Sequence, residues 1–363
     1  MSLKIQGMGT ALPAHSLTQA KLASEAVRLT CGNKKQGLLL EALYRRTKIR
    51  TRSSVLLNVD GNEDPRQPFF EPRQRISDLG PGTRERMEQY VLNAAPLATR
   101  ASAAALKDAR FKASGVTHLI TVSCTGFSAP GVDIAMIQEL GLPADIGRAH
   151  VGFMGCHGAI NGLRVAQGWT MASPEARVLL CAVELCSLHF SYEGHPQKTV
   201  TNGLFSDGAA AIICSAAGDT KPDPWRLRAT GSFIFPDSRE AMTWRIGDHG
   251  FEMTLSPKVP PLIKTHLKTW LEPWLRRHGT SVNRLGSWAV HPGGPRVLED
   301  VADCLDIPRR LMAPSYDVLA ECGNMSSPTL LFILKKLHNE KAPRPCLALG
   351  FGPGLSVEAA LLD

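Results

Sequence analysis

Five stretches of the 363-residue chain are short and largely apolar, the first of them rich in β-branched residues: VTHLITVSC (116–124), RVLLCAVELC (177–186), AAAIICS (209–215), GSWAVH (286–291) and CLALGF (346–351). Runs of this kind suit strands covered on both faces, because polar residues alternate with apolar ones only where one face meets water. Apolar residues recur at helical spacing over 157–169, 259–278, 296–305 and 327–338. Residues 90–111 are Ala-rich with the same period, and Pro96 is expected near the start of that helix, where a missing N–H costs little. The opening residues read as a short strand running into a turn. Residues 60–82 are rich in Pro, Gly and charge and read as a long surface loop. Buried strands alternating with helices in both halves predict α/β layering. The composition break at 216–224 predicts a boundary, with an N-terminal half at 1–218 and a C-terminal half at 219–363. No short tandem repeat is visible.

Composition narrows the function classes. Hydrophobic residues at 44% and charged residues at 20% exclude a mostly disordered chain. The formal net charge of +8 favours anionic partners such as a phosphorylated cofactor. No segment approaches the ~18 continuous apolar residues of a membrane span, so no integral membrane contact is expected. The first residues lack the basic and apolar regions of a signal peptide, which points to a cytoplasmic protein. Nine cysteines are scattered without CxxC pairs or zinc spacing, so no metal site is expected and the thiols read as reduced. No aromatic RNP-like motif or clustered basic face supports nucleic-acid binding.

Three residues stand out chemically. Cys156 sits in GFMGCHGA, where Gly155 precedes it, Gly158 follows, and an apolar-periodic helix begins. A thiol at a strand–turn–helix junction sees the positive end of the helix and free backbone N–H groups. His291 ends the apolar run SWAVH and opens into Pro292-Gly-Gly-Pro295, a strand end where α/β proteins place catalytic groups. Asn324 lies in ECGNMSSP just before a helix and offers an amide donor for a developing oxyanion. Each also has an ordinary explanation: a small buried thiol, a turn histidine, a helix-capping asparagine. Taken together, Cys, His and Asn at Gly-flanked junctions make a set suited to thioesters. The thiol takes an acyl group, and the His–Asn pair donates to a thioester carbonyl.

GFMGCHGA, NGLFSDGAAAII (202–213), AVHPGGP (289–295), GNMSSP (323–328) and GFGPGLSVE (350–358) together resemble the type III polyketide synthases, the chalcone/stilbene synthase-like family. The resemblance implies a thiolase-like αβαβα five-layered fold built from two similar halves, acting as a homodimer. It implies acyl-CoA and malonyl-CoA thioesters as substrates and no metal or redox cofactor. It casts Cys156 as the acyl-carrying nucleophile, with His291 keeping it ionised and His291 and Asn324 supporting decarboxylation of malonyl-CoA. Phe205 matches the family's gatekeeper aromatic. Ser206 stands where the family usually has Gly, with local backbone stiffening as the expected effect.

The family's substrate-lining positions fall on Cys124, Thr125, Ala129, Cys186, His189, Met242, Trp244 and Met253. Small Thr125, Ala129 and Cys186 resemble the bacterial branch that threads a long acyl chain down a tunnel. Trp244 stands where chalcone synthases have Gly and is expected to narrow the cavity for an aromatic starter. These features point to a long-chain fatty acyl-CoA extended by malonyl units and cyclised to an alkylresorcinol or alkylpyrone. The alternatives are a chalcone/stilbene-type enzyme with an aromatic starter and a ketoacyl synthase III-like single condensation. Of the basic run YRRTKIRTR, Arg46 aligns with a family residue that binds coenzyme A phosphate, while two other such positions fall on Leu39 and Ala42. A papain-type hydrolase would share the Cys/His/Asn logic, but its local Cys signature is absent.

Overall fold

The structure is a computed structural model that describes residues 3–59, 65–75, 77–216 and 224–363. Residues 217–223, where the expected boundary falls, lie outside the described residues, as do 60–64 and 76 of the expected loop. The elements in chain order are β1 (Leu3–Ala11), β2 (Ser16–Thr18), α1 (Gln19–Thr30), α2 (Lys34–Arg46), β3 (Thr51–Ser53), α3 (Thr83–Ala109), β4 (His118–Ser123), α4 (Val132–Leu140), β5 (Gly147–Gly152), α5 (Gly158–Ala172), β6 (Arg177–Leu185), α6 (Pro196–Leu204) and β7 (Asp207–Ser215). They continue with β8 (Trp225–Ile234), β9 (Met242–Gly247), β10 (Gly250–Leu255), α7 (Val259–Arg277), β11 (Ser287–Val290), α8 (Pro295–Leu305), α9 (Ala313–Cys322), α10 (Ser327–Asn339), β12 (Cys346–Gly352) and β13 (Ser356–Leu362). The apolar runs are strands and the periodic segments are helices, within a few residues of their expected limits.

Nine strands share one hydrogen-bonded array in the order β11-β12-β13-β8-β1-β7-β6-β4-β5. Its two sides repeat one pattern. In the N-terminal side β4 runs parallel to β6, β6 antiparallel to β7, and β7 antiparallel to β1. In the C-terminal side β11 runs parallel to β12, β12 antiparallel to β13, and β13 antiparallel to β8. β1 and β8 join the sides over the short register Leu3↔Leu227 to Ile5↔Trp225.

Strand periodicity sorts the core into layers, since successive side chains point to opposite faces. Leu119, Leu179, Cys181, Val183, Ala211 and Ile213 pack outward against α3. Their neighbours Ile120, Val122, Leu180, Ala182 and Ile212 pack inward with α5 and α10, where they meet Ala289, Ala348 and Ala360 of the other side. Trp288, Val290, Leu347, Leu349 and Ala359 face out again, onto α7 and α8. The layers therefore run helix, sheet, helix, sheet, helix, the αβαβα arrangement of a thiolase-like fold.

α3 departs from expectation. It begins at Thr83, so Pro96 lies inside the helix rather than near its start. An interior proline costs about 3 kcal/mol in an isolated helix. The helix persists because one face, Ala94, Ala98, Ala101 and Ala105, is wholly buried on the sheet. Gly7 and Gly9 make that approach possible: a Cβ on Gly9 would come 2.1 Å from the Ala101 carbonyl oxygen, and on Gly7 2.5 Å from the Ala109 nitrogen. The described part of the 60–82 loop has neither helix nor strand, but it is not wholly superficial. Phe70 is buried and packs on Phe190 and Tyr192. No helix among the described residues is long and apolar enough to cross a membrane.

Candidate active site

Cys156 lies in a tight turn between β5 and α5. Gly155 adopts φ +71°, and a Cβ there would meet Pro353 Cδ at 2.5 Å, so glycine is required at that position. The thiol is buried, and burial pushes it up to about 12. The side chains of Ser326 and Asn324 are near enough to the sulfur to work against that rise.

His291 follows the last residue of β11, and its N–H donates to the Leu349 carbonyl at 2.8 Å. The ring is buried, and neither ring nitrogen has a hydrogen-bond partner among the described residues. Burial lowers the imidazole to about 3, helped by the proximity of His157. No hydrogen bond joins the sulfur to the ring in the resting molecule. Asn324 is equally enclosed. Its Oδ1 accepts from the Ser326 N–H at 2.8 Å, while its Nδ2 donates to no described atom. Buried polar atoms without partners are uncommon in folded proteins. Here three such atoms belong to two of the residues singled out in the sequence.

Phe205 caps α6, and its backbone pairs with Asn324. The Asn324 N–H donates to the Leu204 carbonyl and the Ser206 N–H to the Asn324 carbonyl, each at 2.9 Å. Arg52 donates to the Phe205 carbonyl at 2.6 Å and to that of Asn202 at 2.8 Å. The Ser206 hydroxyl donates to the Cys322 carbonyl, so this departure from the family's Gly ties the Phe205 turn to the segment before Asn324.

A cavity of about 270 Å³ opens on the thiol. Cys124, Thr125, Cys156, Cys186, His189, Phe205, Met242, Trp244 and Met253 all line it. Ala129 does not: it is exposed beside the cis Ala129–Pro130 bond, in the loop between β4 and α4. That loop turns outward after Gly126, so the expected tunnel position at Ala129 is not part of its own chain's cavity. The cavity instead extends along Leu22, Ala26 and Leu29 of α1 and past Leu56, Leu57 and Phe70.

Hydrogen bonding fixes several of the lining groups. The Thr125 hydroxyl donates to Glu184 at 2.7 Å and accepts from the Leu185 N–H at 2.9 Å. His189 Nε2 lies 2.7 Å from the Thr125 carbonyl and Nδ1 accepts from the Phe251 N–H at 2.9 Å, which defines a neutral ring. Burial agrees, lowering this imidazole to about 3. The Trp244 indole donates to the Cys124 carbonyl at 2.6 Å and stands edge-on to His189.

Glu184 and Ser326 were not singled out in the sequence. Glu184 is fully buried and accepts from the Cys124 N–H, Thr125 and Ser327. Burial pushes its carboxyl up, and these donors hold it down. A lone acid inside an apolar strand was the available signal. Ser326 lines the cavity, with its hydroxyl 3.6 Å from Cys124 Sγ.

Arg46 lies exposed at the end of α2. Its neighbours are engaged: Arg45 with Glu41, Lys48 with Glu299 and Arg50 with Glu321. Arg46 has no ion pair among the described residues, and Arg52, at the end of the run, is held instead by Gln19 and two backbone carbonyls. No group of His, Cys, Asp and Glu among the described residues could hold a metal ion.

Residues 2–218 match the family model for the N-terminal domain of chalcone and stilbene synthases, and 226–363 match the model for the C-terminal domain. The chain is 31% identical over 367 aligned positions to the alpha-pyrone synthesis polyketide synthase-like Pks18 of Mycobacterium tuberculosis, covering 99% of this chain and 90% of that protein. It is 31% identical to the 1,3,6,8-tetrahydroxynaphthalene synthase of Streptomyces peucetius, covering 99% and 92%. Among solved structures, PKS-I from the brown alga Ectocarpus siliculosus superposes with a TM-score of 0.92 at 26% identity, covering 100% of this chain and 98% of that one. The fungal type III polyketide synthase ORAS gives 0.86 at 27% identity, with both chains fully covered. With both domain models spanning nearly its whole length, and a thiolase-like fold to match, the chain belongs to the type III polyketide synthases, a family of acyl-transferring enzymes.

Proposed function

We propose that this synthase loads a long-chain fatty acyl group onto Cys156, extends it with malonyl-CoA and cyclises the product to an alkylresorcinol or alkylpyrone. The observation that carries the condensing chemistry is a set of orphaned polar atoms around the nucleophile's turn: Nδ2 of Asn324, whose side chain acts on the buried Cys156 thiol, and both ring nitrogens of His291, whose ring lies near that of His157.

The chemistry follows from their capacities. In the loading step the Cys156 sulfur attacks the starter thioester carbonyl while His291 takes the thiol proton. The C–S bond to coenzyme A breaks, and His291 returns the proton to the departing thiolate. Malonyl-CoA then loses carbon dioxide, and the electron pair left behind forms an enolate on the thioester. A protonated ring nitrogen of His291 and Nδ2 of Asn324 donate to that oxygen, in a site where water is excluded and such donors count most. The enolate carbon attacks the acyl group on Cys156, a carbon–carbon bond forms and the cysteine sulfur leaves. Phe205, joined through its backbone to Asn324, guards the entrance, and Arg46 meets the coenzyme A phosphates.

The starter class rests on the cavity. Trp244, pinned by its indole N–H, fills space where an aromatic starter would sit, while the α1 side is lined by Leu22, Ala26, Leu29, Leu56 and Phe70. A polymethylene chain suits such a lining. The working unit is a homodimer, with the exposed apolar side chains of Val91, Leu92 and Phe127, in the region of Ala129, offered to the second copy.

The test is incubation of the purified protein with malonyl-CoA and either palmitoyl-CoA or coumaroyl-CoA, with products identified by mass spectrometry. Palmitoyl-derived resorcinols or pyrones are the expected outcome. Turnover of coumaroyl-CoA alone overturns the long-chain assignment.

A further inference from the structure

The histidine next to the nucleophile has no part in the chemistry above, yet it is among the most constrained side chains in the molecule. His157 is 2% exposed. Its Nδ1 lies 2.8 Å from the side-chain oxygen of Asn161, one turn along α5. Its Nε2 lies 2.8 Å from the hydroxyl of Ser356, the first residue of β13. The Asn161 oxygen can only accept, so Nδ1–H donates to it and, in a neutral ring, Nε2 accepts from the Ser356 hydroxyl, which also lies 2.9 Å from the Pro353 carbonyl. The ring thus spans from the helix that follows the nucleophile to the turn between the last two strands of the opposite half.

Glycines show how closely the two halves meet there. A Cβ on Gly352 would come 2.4 Å from the His157 ring, and one on Gly350 2.8 Å from the His157 Cβ. Pro353 presses on Gly155, just before the nucleophile, and lines the cavity. Leu349, next to Gly350, accepts the backbone hydrogen bond of His291. One stretch of backbone, 349–356, therefore holds His291 at one end and His157 along the rest. The charged groups acting on the ring are Glu358 and Arg164, which pair with each other, and His291 lies within reach of its charge.

We propose that His157 is a positioning residue: by bridging Asn161 to Ser356 it sets the Cys156 turn against the 349–356 segment, so that the thiol stands in reach of His291. The inference rests on the reading of Cys156 as the nucleophile. Substitutions that break the bridge then slow the thiol's reactions without weakening substrate binding.

The experiment measures the rate of Cys156 alkylation by iodoacetamide, by peptide mass spectrometry, from pH 5 to 10, together with kcat and KM for malonyl-CoA. His157→Phe fills the space but makes neither hydrogen bond. Alkylation near neutral pH is expected to slow at least about tenfold, the pH profile to move to higher pH, and kcat to fall with KM changed less than about threefold. His157→Gln, whose amide can still hydrogen-bond to Ser356, is expected to recover most of the loss. If His157→Phe fails to fold, Ser356→Ala removes the far anchor alone and is expected to slow alkylation about threefold or more. A folded His157→Phe or Ser356→Ala protein with an unchanged alkylation profile and unchanged kcat overturns the proposal. Failure of the underlying reading looks different: the wild-type protein, given acyl-CoA, would carry no acyl adduct on Cys156.

Discussion

Removing the imidazole of His291 isolates its contribution to the thiol. Burial, partly offset by the Ser326 and Asn324 side chains, holds Cys156 at about 12 with the neutral His291 ring present. At such a value the thiolate fraction near pH 7.5 is roughly 3 × 10⁻⁵, more than four decades below a fully ionised cysteine. Part of that deficit is recovered, because a thiolate of higher pKa is intrinsically more nucleophilic, with a Brønsted slope of about 0.4–0.5. The variant reacts only through that small thiolate fraction, whereas in the wild type the neutral His291 ring takes the proton as the sulfur forms its bond, so His291→Ala is expected to lose the ~10²–10⁴ that a positioned general base contributes. The sign of the pH dependence also follows. A thiol near 12 gains thiolate as pH rises toward that value, so the variant's rate climbs about tenfold per unit through pH 10 with no plateau. The wild-type imidazole, held at about 3, remains a free base throughout the neutral range and does not inactivate the enzyme at pH 5 to 6. The assay is iodoacetamide alkylation of Cys156, resolved by peptide mass spectrometry, with His291→Gln as a control of similar volume. A rate in His291→Ala within threefold of wild type, or a plateau below pH 9, refutes the assignment of His291 as the proton acceptor.

Cys186→Phe places a ring on the cavity wall. Palmitoyl-CoA turnover is expected to fall at least about 50-fold and hexanoyl-CoA turnover less than fivefold, with a melting temperature reporting the ~1–3 kcal/mol cost of overpacking; equal losses for both starters count against a chain-binding role. Arg46→Ala is expected to raise KM for malonyl-CoA about 3- to 10-fold with kcat unchanged, as befits one exposed charged contact, and the difference should shrink as salt is added. A KM unaffected at low salt removes Arg46 from the coenzyme A site.

Where the sequence was informative, burial is the reason. Strands such as β6 and β7 are covered on both faces, so their composition alone identifies them. β8 carries a different code: Trp225, Leu227 and Ala229 are buried while Arg226 and Arg228 are exposed. Its alternation is legible only once it is known to join two half-sheets. The junction residues Cys156, His291 and Asn324 could be found because glycine and proline mark the turns that hold them. The cavity wall was harder to read. Cys124, Thr125 and Trp244 are lining residues because of hydrogen bonds that cross more than fifty residues of sequence. Ala129, four residues beyond Thr125, has no such tie and turns to the surface. Nothing local distinguishes the two positions, since small residues are compatible with either. Pro96 was misplaced for a related reason: local preference puts proline at a helix start, and the buried alanine face of α3 overrides it.

The repeat of strand pairing explains why the reactive groups meet at all. β4 and β11 occupy equivalent places in their sheets, and each delivers residues to the site at its end: Cys124 and Thr125 from one, His291 from the other. α5 and α10 are likewise equivalent, the two helices packed between the sheets. Cys156 precedes α5 and Asn324 precedes α10. An approximate twofold relation therefore brings two strand ends and two helix starts to one place, where the two halves carry different side chains. The thiol comes from one half, and the imidazole and amide from the other. Under the proposed roles, catalysis depends on how the halves are registered, and the close contacts of Gly155 with Pro353 and of His157 with Gly350 and Gly352 lie on that seam. On that proposal a substitution there is expected to shift the Cys156 turn relative to His291 and lower kcat, whereas one in the outer layers, on α3 or α7, is expected to lower the melting temperature with kcat little changed.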